Sequence, residues 1–103
     1  IGYPVTVNDK PSVDFALDIA ESLLGEGKAV HMPSPVMGAE DFSYVLNQIP
    51  GAMVFLGGTP QGVNPATAAP NHSNRVMFDE AAMAHGIALY SSLALRTLGV
   101  TLN

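Results

Sequence analysis

Apolar and polar positions along the chain fall into two periods. Tyr3, Val5 and Val7 alternate with smaller or polar residues, as a short strand would. Asn8-Asp9 then turns the chain. Asp9 or Ser12, with Pro11 near the first turn, starts a helix over about Ser12 to Leu24. Val13, Ala16, Leu17, Ala20, Leu23 and Leu24 share one face of that helix. Gly25 stands where a left-handed C-terminal cap is expected. Residues 29–32 (AVHM) form a short strand candidate, ended by Pro33 and Pro35.

Glu40-Asp41 opens a second expected helix, about Asp41 to Asn47, and Pro50-Gly51 turns out of it. Residues 52–58 (AMVFLGG) are a continuous apolar run, which reads as a central strand covered on both faces. A proline-punctuated loop, residues 59–75, follows; a loop of that length is usually functional or disordered. The last helix is expected from about Asp79 to Leu98, with Arg96 in its last turn and Gly99 as a cap. Met83, Ile87, Tyr90, Ala94 and Leu98 line one face, and Ala82, Gly86, Leu89 and Leu93 the next. So broad an apolar surface suits a helix lying on a sheet, and Ala84, Gly86 and Ala88 permit close approach. The expected order is β-α-β-α-β-loop-α, an α/β layered fold with a partly parallel sheet.

Composition narrows the function classes. Hydrophobic residues make up 48% and charged residues 13%, a globular balance and too apolar for a disordered tail. Net charge is −5, and Lys10, Lys28, Arg75 and Arg96 are scattered, so no basic patch exists for nucleic acid or an anionic membrane. With no Cys there is no disulfide framework. No apolar run approaches the roughly 18 residues of a membrane span. A cytoplasmic location is expected, although the absence of Cys does not itself reveal the compartment.

His72 is the first candidate for chemistry. A neutral imidazole is a common ligand for zinc-like ions, and its position late in a long loop would let it face a cleft beyond the strand ends. Spacing alone also fits a surface loop histidine, since no His-x-His, HExxH or Cys pair accompanies it. Glu40 and Asp41 form a carboxylate pair suited to acid–base or metal chemistry, but their place at a helix N-terminus, where acidic residues are expected, is the stronger reading from sequence alone. Gly38 either exposes backbone N–H groups to an anionic substrate or is a plain turn glycine. His31 and His85 have no neighbouring partner in sequence. No G-x-S-x-G elbow surrounds Ser43, Ser73, Ser91 or Ser92, and no GxGxxG or GKS/T follows Gly57-Gly58. Asn71-His72-Ser73 has the form of a glycosylation sequon, a frequent chance match.

Three pieces taken together resemble a known family. They are Met37-Gly38-Ala39-Glu40-Asp41-Phe42-Ser43-Tyr44, then Pro50-Gly51 leading into the apolar run, then Asn71-His72-Ser73 with Asp79-Glu80. The combination resembles the amidohydrolase branch of the aminoacylase/carboxypeptidase-type dinuclear metallopeptidases. That branch includes hippurate hydrolases, N-acyl-amino-acid amidohydrolases, indole-acetyl-amino-acid hydrolases and aminobenzoyl-glutamate hydrolases. The resemblance covers nearly the whole chain.

The resemblance implies a three-layer α/β catalytic domain interrupted by a lid or dimerisation domain. Residues 1–8 would be the last strand of the inserted domain, and residues 9–103 the C-terminal segment of the catalytic domain. It implies two divalent metal ions (zinc, manganese, cobalt or nickel) bridged by a water, whose activation drives amide hydrolysis of an N-acyl amino acid. His72 matches the last metal ligand, and Gly38, Glu40 and Asp41 match a loop near the substrate. The other ligands and the general-base Glu belong to the N-terminal remainder of the polypeptide, which is then the chain's first partner. A homodimer through the inserted domain is a further partner state common in the family. Asn74 departs from a pattern in which many members have Pro after His-Ser.

The chain opens on Ile1 and offers one matched ligand, so it is expected to be the C-terminal part of a larger enzyme, inactive alone. A second reading is a non-catalytic α/β interaction or dimerisation module. A third is a small hydrolase built from Glu40, Asp41 and His72 alone.

Overall fold

Asp9 starts the first helix. Its carboxylate accepts from the Ser12 N–H at 3.0 Å and from the Ser12 hydroxyl at 2.7 Å, and Pro11 occupies the first turn, where a missing N–H does no harm. The helix, α1, therefore runs Lys10–Leu24, two residues earlier than the apolar pattern indicates. The computed structural model describes residues 2–100; Ile1 of the expected opening strand lies outside them. Two more helices follow, α2 (Ser43–Leu46) and α3 (Ala82–Thr97).

The α1 terminus ends differently from expectation. Gly25 has φ 100° and ψ 165°, an extended positive-φ conformation open essentially to glycine alone, rather than a left-handed helical cap. The α3 terminus does form a left-handed cap. Gly99 has φ 76°, its N–H bonds the Arg96 carbonyl at 3.1 Å, and the Val100 N–H bonds the Leu95 carbonyl at 2.9 Å. Those two bonds are the Schellman pair that closes a helix end.

The α/β expectation is overturned: among the described residues there is no strand and no sheet. The three runs read as strands form no ladder among the described residues. A strand is a paired state, and β-branched, apolar composition cannot substitute for a partner backbone. What holds the apolar run is a side chain. The Asn8 amide donates to the Met53 carbonyl at 3.1 Å and accepts from the Met53 N–H at 2.9 Å. The Asp9 N–H bonds the Gly51 carbonyl at 2.9 Å, and the Asp79 N–H bonds the Gly58 carbonyl at 2.8 Å. Both ends of residues 51–58 are thus tied to the start of a helical segment, and the middle pairs with nothing described.

The tertiary contact between helices is α1 on α3. Ile19, 1% exposed, is the largest apolar side chain fully buried, flanked by Ala16 and Ala20. Ser92 of α3 is buried with them, small enough to let the helices approach. Between them lies a cavity of about 140 Å³ lined by Ile19, Ser22, Leu23, Ser92 and Arg96. Of the two adjoining apolar faces of α3, one is covered. Ala82, Gly86, Leu89 and Leu93 are half-buried, whereas Met83, Ile87, Tyr90 and Leu98 are exposed. With no sheet beneath it, α3 lays its narrower, small-residue stripe inward. Gly86 meets the apolar run closely, since a Cβ there would sit 3.1 Å from Leu56 Cδ2.

This core is thin. Buried apolar residues among those described are Ala16, Ile19 and Ala20. The radius of gyration is 15.2 Å, against about 13 Å for a compact domain of this length. No helix among the described residues is long and apolar enough to cross a membrane.

The cap at Asp9 generates a test. Asp9→Ala should lower unfolding free energy by about 1 kcal/mol and Asp9→Asn should keep most of it. Urea denaturation followed by far-ultraviolet circular dichroism reads both; equal stability of the alanine variant would remove the cap from the account.

Candidate functional site

The long loop that carries His72 is a succession of closed turns. The Val63 N–H bonds the Pro60 carbonyl at 3.2 Å, and the Thr67 and Ala68 N–H groups both bond the Asn64 carbonyl at 3.0 Å. Asn64 also accepts from the Ala66 N–H through its side chain at 3.0 Å, as an Asx turn does ahead of Pro65. The Ser73 N–H then bonds the Pro70 carbonyl at 3.1 Å, placing His72 third in a four-residue turn. At that position His72 adopts φ 71°, alone among non-glycine residues described. A type II turn demands positive φ there, and a residue with a Cβ bears it at a cost.

Ser73 fixes the far side of this turn. Its hydroxyl accepts from the Arg75 N–H at 3.1 Å, and its carbonyl accepts from the Val76 N–H at 3.2 Å. His72 therefore sits inside one closed turn that runs directly into a second, with the residue exposed to solvent. Asn74, where a proline would stiffen the backbone, lies inside the second turn, and these two hydrogen bonds shape it instead. Strained non-glycine backbone tends to be kept where the side chain has a task.

The other candidates lie at the start of α2. Glu40 is half-buried and its carboxylate accepts from the Phe42 N–H at 3.1 Å. Its carbonyl accepts from the Ser43 hydroxyl at 2.6 Å and from the Ser43 N–H at 3.3 Å. Ser43 is fully buried, which sequence reading did not foresee; the Glu-x-x-Ser spacing ahead of a helix was the available signal. Asp41 is exposed and contributes its carbonyl to the Tyr44 N–H at 3.0 Å. The expected helix over residues 41–47 shrinks to the single turn of α2, because Glu40 and Asp41 are consumed in the turn before it. Gly38 is exposed and outside the left-handed region, and a Cβ there would meet Val36 Cγ1 at an ordinary 3.7 Å. Nothing in the backbone requires glycine at that point.

Among the described residues no hydrogen bond or ion pair joins His72 to Glu40 or Asp41. No three His, Cys, Asp or Glu side chains come together as a metal site there either. A catalytic metal takes about three protein ligands. The described residues offer one exposed imidazole and do not hold a metal ion by themselves. His31 and His85 are both exposed.

The description "Peptidase family M20/M25/M40" matches residues 1–96. The chain belongs to that family. It is 36% identical over 96 residues to IAA-amino acid hydrolase ILR1-like 4 of Arabidopsis thaliana, covering 93% of this chain and 21% of the relative. It is 34% identical over 94 residues to thermostable carboxypeptidase 2 of Saccharolobus solfataricus, covering 91% and 22%. Hippurate hydrolase of Campylobacter jejuni is 30% identical over 95 residues, covering 92% and 23%. The chain thus spans about a fifth of the length of these relatives. No solved structure matches it. The family is one of metal-dependent hydrolases that includes amidohydrolases, in keeping with the resemblance carried by the Gly38–Asp41 and Asn71–Ser73 motifs.

The strained turn predicts an unusual ranking of variants. His72→Gly should be more stable than His72→Ala by about 1 kcal/mol, because glycine alone is free of the left-handed penalty. Denaturation midpoints of the two variants check this, and an alanine variant of equal stability would show that the turn relaxes.

Proposed function

We propose that this chain is one segment of a metal-dependent amidohydrolase acting on N-acyl amino acids, and that His72 is its contribution to a dinuclear metal centre. The family match across residues 1–96 carries this reading. The names IAA-amino acid hydrolase and hippurate hydrolase support an amino-acid conjugate as the substrate class. His72 suits the role in one further respect. Its turn is closed and runs directly into a second, so the exposed residue is presented with little backbone freedom left to lose on ligation.

The loop before α2 has two parts in this proposal. Glu40 holds the turn through the Phe42 N–H and the Ser43 hydroxyl, and Asp41 and Gly38 lie on the exposed side available to substrate. Residues 1–8 belong to the inserted domain and residues 9–103 to the catalytic domain. The remaining ligands and the general base come from the rest of the polypeptide, and the 103 residues alone are inactive. The exposed apolar side chains also suit a non-catalytic interaction module; the match to hydrolases over nearly the whole chain favours the enzyme.

Two variants test the assignment in the longest polypeptide that the reading frame encodes, supplied with zinc or manganese and assayed on hippurate and N-acetyl amino acids. His72→Ala should lower kcat by more than the roughly 10–100-fold that loss of an outer partner costs a metal site, and should reduce bound metal. Undiminished turnover would remove His72 from the centre. Ser43→Ala should instead cost about 1 kcal/mol of stability through the lost buried hydrogen bond, read as a denaturation midpoint, with metal content unchanged.

A further inference from the structure

The cavity between α1 and α3 carries polar groups that the fold does not use. It measures about 140 Å³ and is lined by Ile19, Ser22, Leu23, Ser92 and Arg96. Ser92 is only 7% exposed, yet its hydroxyl makes no hydrogen bond among the described residues, whereas the nearby Thr97 hydroxyl donates to the Leu93 carbonyl. A buried hydroxyl normally has a partner. Arg96, the charged residue of the lining, forms no ion pair among the described residues. The Ser22 proton is spent on the Ile19 carbonyl at 2.8 Å, so the Ser92 hydroxyl and the Arg96 guanidinium are the donors left to the cavity.

We propose that this cavity binds a short-chain aliphatic monocarboxylate such as butyrate, whose size of about six non-hydrogen atoms suits the space. A guanidinium takes a carboxylate through two parallel N–H donors, and the Ser92 hydroxyl adds a third. Ile19 and Leu23 supply an apolar wall for the alkyl tail, which inorganic phosphate or sulfate would leave unused. The lining comes from the C-terminal halves of both helices, whose terminal carbonyls oppose an anion. Arg96 offsets that opposition, so the affinity hinges on its charge. None of Gly38, Glu40, Asp41 and His72 lines the cavity, and the proposal does not depend on the amidohydrolase reading.

Methyl NMR tests the site in the longest polypeptide that the reading frame encodes, labelled at its isoleucine δ1 methyl groups. Ile19→Val assigns the resonance of the buried Ile19. Titration with butyrate should move that resonance saturably, with a dissociation constant of roughly 1 mM for so small a ligand. Arg96→Gln and, separately, Ser92→Ala should each weaken binding about tenfold, because each removes a hydrogen bond to a charged group. Butanol, which keeps the tail and lacks the charge, should bind at least about tenfold more weakly. No movement of the Ile19 resonance would overturn the proposal, as would equal affinity for butanol or unchanged affinity in either variant. Should Arg96→Gln fail to fold, Ser92→Ala decides. Butyrate can also ligate a metal, so the titration is repeated in His72→Ala. A retained shift upholds the cavity site whatever becomes of turnover, and a lost shift overturns it in favour of a metal centre.

Discussion

The contact between α1 and α3 is the constraint on which the rest of the chain hangs. It buries Ile19 against small neighbours and Ser92, and no other pair of helices packs together among the described residues. The apolar run between the two helices is tied to the segments that lead into them. The Asp9 N–H bonds Gly51 just before α1 begins, and the Asp79 N–H bonds Gly58 shortly before α3. The apolar run is therefore positioned by the helix starts, not by lateral pairing. Burial of one isoleucine and two alanines contributes only a few kcal/mol, so the geometry relies on caps and turns to a degree that a larger core would make unnecessary.

Local chemistry was legible in the sequence at two helix ends where a single residue decides the outcome, though not at Gly25, which ends α1 in an extended conformation. Asp9 with Pro11 marks a helix start, and Gly99 after Arg96 marks a helix end, because capping depends on nearby atoms. Burial was less legible. The apolar pattern of the first helix points to Val13, Ala16, Leu17, Ala20, Leu23 and Leu24; Ala16 and Ala20 are buried, but Ile19, outside that pattern, is the most buried, since the face that is covered depends on where α3 lies. The three expected strands failed for a related reason. Their composition is right for strands, but pairing is a property of two backbones, and none of the three finds another among the described residues.

The candidate site divides in the same way. That His72 lies late in a proline-rich loop is visible in the sequence; that it takes positive φ inside a closed turn is not, because the turn depends on the Ser73 N–H reaching Pro70. Glu40 and Asp41 are adjacent in sequence yet differ in structure, one carboxylate engaged by the backbone and the other exposed. A motif match treats them alike. Hydrogen bonding distinguishes a residue that shapes the loop from one that is free to meet something else.

The fork between Asn8 and Met53 has a consequence for the fate of the chain in a cell. Residues 52–56 combine β-branched, aromatic and aliphatic side chains with no charge and no proline, the make-up of a segment that stacks into cross-β assemblies. By occupying both backbone groups of Met53, the Asn8 amide blunts one edge of that segment, as gatekeeping polar residues do beside unavoidable apolar strands. The shielding is one residue long and held by a solvent-exposed side chain. Proteostasis of this polypeptide thus depends on how quickly the neighbouring residues find cover after synthesis, before chaperones or proteases reach them.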